Sequence, residues 1–149
     1  MDIKVAGMNG NMLKQIKTKQ RVKEHGEVFT NEKEVKEMCD LVPAEIWQNI
    51  DSTFLEPSCG TGNFLVEIFK RKLIYCHKNT DILRAYKSIY GIDILKDNIE
   101  ECKTRLLSLN TNEEIKEDIS KILNNNIICG DFLAKLDTYG NKIKFLEGD

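Results

Sequence analysis

Three short apolar runs in this chain each end in a carboxylate, and the residues able to do chemistry sit at those ends. Thr53-Phe54-Leu55-Glu56 leads into Pro57-Ser58-Cys59-Gly60-Thr61-Gly62-Asn63. Two glycines two residues apart let the backbone approach a ligand and turn into a helix. Such a turn alone is a weak signal. It lacks the full Gly-x-Gly-x-x-Gly dinucleotide spacing, and no Gly-Lys-Ser/Thr follows as in a phosphate loop. Glu56, directly before the loop, would repel phosphates but accept hydrogen bonds from an ammonium group, which points to a cationic or amino-acid-like ligand. The run Ile89-Tyr90-Gly91-Ile92 ends at Asp93, and a carboxylate there suits the paired hydroxyls of a ribose. The run Ile127-Ile128-Cys129-Gly130 ends at Asp131, followed by Phe132. A carboxylate accepts from an exocyclic amine, and an aromatic ring packs on a purine face. Each carboxylate taken singly also reads as a helix cap or a turn residue. Taken together they offer an ammonium site, a ribose site and an adenine site, and S-adenosylmethionine has those three parts.

Positioning these ends calls for strands alternating with helices. Asn31 to Ile50 has helical periodicity in Val35, Met38, Cys39, Val42, Ile46 and Ile50. Thr30 or Asn31 can cap it, Glu34 suits the third helical position, and Pro43 is expected to divide it. Phe64, Leu65, Ile68, Phe69, Leu73 and Ile74 mark a second helix, and Asp81 to Ser88 a further one. A helix starting at Asp97 or Asn98 would bury Ile99, Cys102, Leu106 and Leu109. Thr111 and Glu114 form a capping-box pattern for another, with Ile115, Ile119, Ile122 and Leu123 inside. Lys142 to Leu146 alternates and reads as a fourth, short strand. This order predicts an α/β fold with a parallel sheet, right-handed crossovers and ligands at the carboxyl ends of the strands.

The chain has 149 residues, 41% of them apolar and 31% charged, with a formal charge of −2. That suits one domain, with enough apolar residues for one core. No apolar run approaches the roughly 18 residues of a membrane helix, and the amino end shows no signal segment, so a cytoplasmic protein is expected. Cysteines at 39, 59, 76, 102 and 129 form neither a disulfide framework nor a zinc pattern, and read as small buried apolar residues. Met1 to His25 holds Lys4, Lys14, Lys17, Lys19, Arg21 and Lys23 against Asp2 and Glu24. Residues 1–20 are expected to be a flexible basic arm, with a short helix near Met12–Lys19. It could touch phosphates or simply be solvated. Residues 21–149 are read as the folded domain.

Four segments resemble the gamma-type DNA adenine-N6 methyltransferases, in which the cofactor motifs precede the catalytic motif. His25-Gly26-Glu27-Val28-Phe29-Thr30 resembles the leading Gly-x-Val/Phe-Thr-Pro motif, with Asn31 in place of the proline. Phe54 to Phe64 resembles the Asp/Glu-Pro-x-x-Gly-x-Gly-x-Phe loop. Tyr90-Gly91-Ile92-Asp93-Ile94 resembles the ribose motif, and Ile128 to Leu133 the adenine motif. The resemblance covers about residues 20–135. It implies a Rossmann-like methyltransferase fold, a partial parallel sheet with helices on both faces, preceded by an amino-terminal helical element. It implies S-adenosylmethionine as cofactor. Phe29 and Thr30 would line its methionine or adenine side, and Glu56, Pro57, Gly60 and Gly62 its methionine side. Asp93 would hold the ribose, Ile94 would lie against the adenine, and Asp131 would take the adenine amine with Phe132 beside it. No metal is implied.

The family's Asn/Asp-Pro-Pro-Tyr/Phe motif, which holds a flipped target base, is missing: the only prolines are Pro43 and Pro57. No catalytic residue is therefore assigned, and three or four of the family's seven strands are expected. The chain is expected to be a truncated or split enzyme, from a phage, another mobile element or a restriction-modification system, inactive alone and reaching DNA through a complete enzyme or a partner chain. The edge of the first strand would be left exposed. A homodimer, a catalytic-half partner, the amino arm or the carboxyl tail would cover it. Two other readings remain open: a non-enzymatic interaction module reusing the fold, and a small methyltransferase acting on RNA or a small molecule.

Overall fold

The computed structural model describes residues 3–5, 14–15 and 29–148. Its framework is a five-stranded sheet in the order β1-β4-β5-β6-β7, formed by β1 (Ile3–Val5), β4 (Thr53–Glu56), β5 (Ile89–Asp93), β6 (Ile127–Asp131) and β7 (Leu136–Asp137). The first four strands run parallel, and β7 folds back antiparallel on β6. A separate two-stranded ribbon pairs β2 (Lys14–Gln15) with β3 (Phe29–Thr30). This is the mixed α/β, mostly parallel arrangement of a Rossmann-like fold.

Among the described residues six helices connect and cover the sheet: α1 (Glu32–Cys39), α2 (Ala44–Gln48), α3 (Asn63–Leu73), α4 (Asn79–Lys87), α5 (Lys96–Ser108) and α6 (Lys116–Asn126). Asn31 caps α1, its side chain accepting from the Glu34 amide at 2.9 Å. Pro43 separates α1 from α2, as its missing amide requires. Before α6 the cap is Asn112, not Thr111. Its side chain accepts from the Glu114 amide across a single 3-10 turn.

Side-chain alternation along the strands divides the core in two. Phe54, Ile89 and Ile127 pack with buried residues from all six helices, among them Val35, Trp47, Phe69, Tyr86, Leu106 and Leu123. Leu55 and Ile92 face the other way and meet Ile143, with Tyr90, Ile128, Phe132 and Phe145 around them. Helices around the mostly parallel sheet were expected and are present; those among the described residues contribute to the first cluster, and the second carries the segment around Ile143. That segment was expected as a fourth strand: Lys142 makes an isolated antiparallel bridge to Leu136 of β7, and Lys144–Leu146 then forms a 3-10 turn.

The edge of β4 is not exposed, which corrects the expectation of a free edge awaiting a homodimer or a catalytic-half partner. Ile3–Val5 pairs with Thr53–Leu55, the amino-arm alternative among those foreseen. Ile-Lys-Val suits a strand because β-branched residues flank one polar position. The helix expected near Met12–Lys19 is contradicted at Lys14–Gln15, which pair as a strand; the remainder of that segment lies outside the described residues. Cys39, Cys59 and Cys102 are buried, Cys76 and Cys129 half-buried, and all five are free thiols.

Candidate cofactor-binding site

The site is built at the carboxyl ends of β4, β5 and β6. After Glu56 the chain turns through Pro57 and the glycines into α3. Gly62 has φ +96°, a backbone position that favours glycine. A methyl group there would also stand 2.8 Å from Cys102 Sγ on α5. The sequence thus places glycine where both the turn and the packing demand it.

Glu56 is 4% exposed. Its Oε1 accepts from the Ser58 amide at 3.1 Å, while Oε2 is buried with no hydrogen-bond partner. Burial pushes its pKa up to about 8, against the Ser58 amide and with a further push from nearby Asp93. A buried acceptor without a partner costs stability, so this oxygen is an observation that calls for a ligand. An ammonium group fits it.

Asp93 is also buried, and it knits the site together. Its Oδ2 accepts from the Gly60 amide at 3.0 Å, and its Oδ1 accepts from the Leu95 amide at 2.9 Å and the Asn98 side chain at 3.3 Å. Asp93 thus ties the end of β5 to the loop that carries Glu56, Pro57, Gly60 and Gly62. Ile94 follows with 51% of its surface exposed. Asp131 lies exposed at the end of β6, where its Oδ1 accepts from the amides of Leu133 at 2.9 Å and Ala134 at 3.3 Å. Phe132 turns to the second sheet face and packs near Leu55 and Ile92. Phe29 and Thr30 form β3, and the Thr30 carbonyl accepts from the Asn63 side chain at 2.8 Å.

Two residues of this region escaped the sequence reading. Asn63 was quoted only as part of the loop, and Arg105 not at all. Arg105 Nη1 donates to Thr61 O and Asn63 Oδ1, both at 2.8 Å. Its position, three residues after buried Cys102 and next to buried Leu106, was the available signal: such a residue borders the packed face of α5. Among the described residues no group of three or more His, Cys, Asp or Glu side chains gathers as a metal site, and no helix is long and apolar enough to cross a membrane.

No solved structure matches the chain significantly. A curated relative, the Type II methyltransferase M.VspI of Vibrio sp. (strain 343), is 35% identical over 83 residues, which make up 55% of this chain and 17% of that protein. The chain thus aligns with about a sixth of that relative's length. The N-6 DNA methylase family matches over residues 10–132, a stretch that contains Glu56, Asp93 and Asp131. With most of its length matched, the chain belongs to the N-6 DNA methylase family.

Proposed function

We propose that this chain is the S-adenosylmethionine-binding portion of an adenine-specific DNA methyltransferase of restriction-modification type, working in the cytoplasm and inactive in methyl transfer by itself. The observation that carries the reading is the unpartnered, buried Glu56 Oε2 beside the glycine loop. When bound, the cofactor supplies an activated methyl group. The chain's own residues bind and orient. Glu56 accepts the ammonium group, and the loop amides at Gly60 and Gly62 approach the methionine end, with Phe29 and Thr30 beyond. An ionised carboxylate has about four acceptor positions. Asp93 spends three of them internally, so it can take one ribose hydroxyl without giving up a bond. Asp131 Oδ2 takes the adenine amine, Ile94 offers an exposed apolar contact, and Phe132 packs beside it. The sequence holds no Asn/Asp-Pro-Pro-Tyr/Phe motif, so the hold on a flipped adenine must come from another part of a complete enzyme.

Titration calorimetry with S-adenosylmethionine between pH 6 and 9 tests the binding claim. Glu56 must ionise to accept the ammonium, and its pKa before binding is about 8. Affinity should fall toward pH 6 by up to about tenfold per pH unit, with a proton released on binding. It should fall again above about pH 8 as the amino group itself deprotonates. Glu56→Gln should weaken binding at pH 8 by about tenfold and flatten the acid limb. Absence of heat from the wild-type chain at millimolar ligand would sink the reading. Methyl transfer to DNA or RNA by the chain alone would replace it with a self-sufficient small methyltransferase.

A further inference from the structure

Asn63 is the first residue of α3, and its side-chain amide is used from both ends. Nδ2 donates to the Thr30 carbonyl at 2.8 Å, and Oδ1 accepts from Arg105 Nη1 at 2.8 Å. The orientation is dictated by the partners, since a guanidinium only donates and a backbone carbonyl only accepts. The same Nη1 donates to the Thr61 carbonyl at 2.8 Å and approaches Thr61 Oγ1 at 3.4 Å. Among the described residues the partners of Arg105 are thus neutral oxygens of the loop and not a carboxylate, although Glu101 stands one turn earlier on α5. Thr30, Asn63 and Arg105 line one cavity of about 330 Å³, which leaves β3 room to move if the link is cut.

We propose that Arg105 is a positioning residue. Acting through Asn63, it fixes β3 against the glycine loop, so that filling the loop is felt at Phe29 and Thr30. This rests on the cofactor reading above. Thr61 and Asn63 flank Gly62, so a ligand that stills the loop also stills the acceptors of Arg105. Without Arg105 the Asn63 amide is free to flip, and β3 loses its register with the loop.

Hydrogen-exchange mass spectrometry, with and without S-adenosylmethionine, separates this role from general support of the fold. In the wild type the cofactor should slow exchange in the peptide over residues 57–62 and also in the one containing Phe29 and Thr30. Arg105→Ala should keep the first effect at saturating cofactor, lose the second, and bind about tenfold more weakly. Asn63→Asp gives the same pattern by a different route. Its carboxylate strengthens the bond to Arg105 but presents an oxygen to the Thr30 carbonyl, so β3 is released while α3 and α5 stay joined. If the Asn63 amide did not hold β3, Asn63→Asp would be silent at Phe29 and Thr30, and that result overturns the proposal. Retained cofactor protection at Thr30 in Arg105→Ala overturns it too. If the wild type shows no cofactor effect at any peptide, the cofactor reading fails. The link is then decided by the ligand-free proteins: faster exchange at Phe29 and Thr30 in Arg105→Ala upholds it, and unchanged exchange rejects it.

Discussion

The two ends of the central sheet differ in whether every buried polar group is satisfied. At the amino end, Lys72 is fully buried, donates to the carbonyls of Ile50 at 2.8 Å and Ser52 at 2.6 Å, and sits 5.2 Å from the centre of the Phe54 ring. Asn126 donates to the carbonyls of Lys87 at 3.2 Å and Ile89 at 3.1 Å. Both side chains close backbone acceptors left open where helices and turns give way to strands. At the carboxyl end Asp93 is likewise satisfied, by three donors, and Glu56 is the exception. Glu56 keeps one buried oxygen without a partner, and Asp131 stands exposed. The same strand, β4, thus begins at a satisfied cation and ends at an unsatisfied carboxylate. Polar burial at the first end holds the chain together, and at the second it leaves one carboxylate oxygen unpaired.

The comparison breaks first at Lys72. Lys72→Ala removes a buried stem and leaves two carbonyls unpaired, and should cost about 3 kcal/mol in urea unfolding. Lys72→Met keeps most of the stem, so about 1–2 kcal/mol of loss should remain from the carbonyls alone. A Lys72→Met protein as stable as the wild type would show that the amino end is no tie. Next comes Gly62→Ala, about 2 kcal/mol from its left-handed backbone and the clash with Cys102 Sγ. Adding Cys102→Ala should recover the clash and not the backbone part, and a thermal melt of the pair reads the difference.

Proton linkage sharpens the contrast further. Burial raises the Glu56 pKa from 4.5 to about 8, so its contribution is fully present below pH 4.5 and is lost as the pH climbs to about 8. Burial lowers the Lys72 pKa from 10.5 to about 8, so the unfolded chain holds the extra proton between those values and stability recovers as the pH rises through them. Urea midpoints of the ligand-free protein should therefore pass through a minimum near pH 8. Glu56→Gln should be indistinguishable from wild type at pH 4 and more stable by about 2 kcal/mol at pH 9. It would be the rare substitution that strengthens the fold and weakens the site. Equal stability at both pH values would mean that Glu56 carries no strain for a ligand to relieve.

The carboxyl end was the legible one. Glu56, Asp93 and Asp131 each close an apolar run, and the spacing of Gly60 and Gly62 is a local pattern, so neighbours in sequence suffice to read them. The amino end depends on long-range partners. Lys72 stands in Lys70-Arg71-Lys72 and reads as a solvated charge run, yet it continues the buried helical face of Leu65, Ile68 and Phe69. Helical phase, and not residue type, was the signal. Arg105 escaped for the same reason. Strand β1 was hidden because three residues of an otherwise weakly patterned arm take their meaning only from pairing with β4. The alternation of Lys142 to Leu146 is real, and Ile143 is buried, but alternation cannot say that pairing stops after the single bridge of Lys142 to Leu136.

Asn126 gives the smallest and most specific test. It closes α6 at the start of β6, and its amide nitrogen spans the carbonyls at the end of α4 and the start of β5. From sequence it is one of three consecutive asparagines with nothing to distinguish it. Asn126→Ala should cost about 1 kcal/mol, because two partly exposed acceptors lose a neutral donor and regain water. Asn124→Ala should cost less, since its Oδ1 meets only Lys103 at 3.2 Å on the surface. Neither change should alter S-adenosylmethionine affinity beyond about twofold, because additivity holds between sites that share no partners. If Asn126→Ala weakened the cofactor as much as it weakened the fold, the two ends would be one cooperative unit, and the separation between holding the chain together and holding a ligand would be lost.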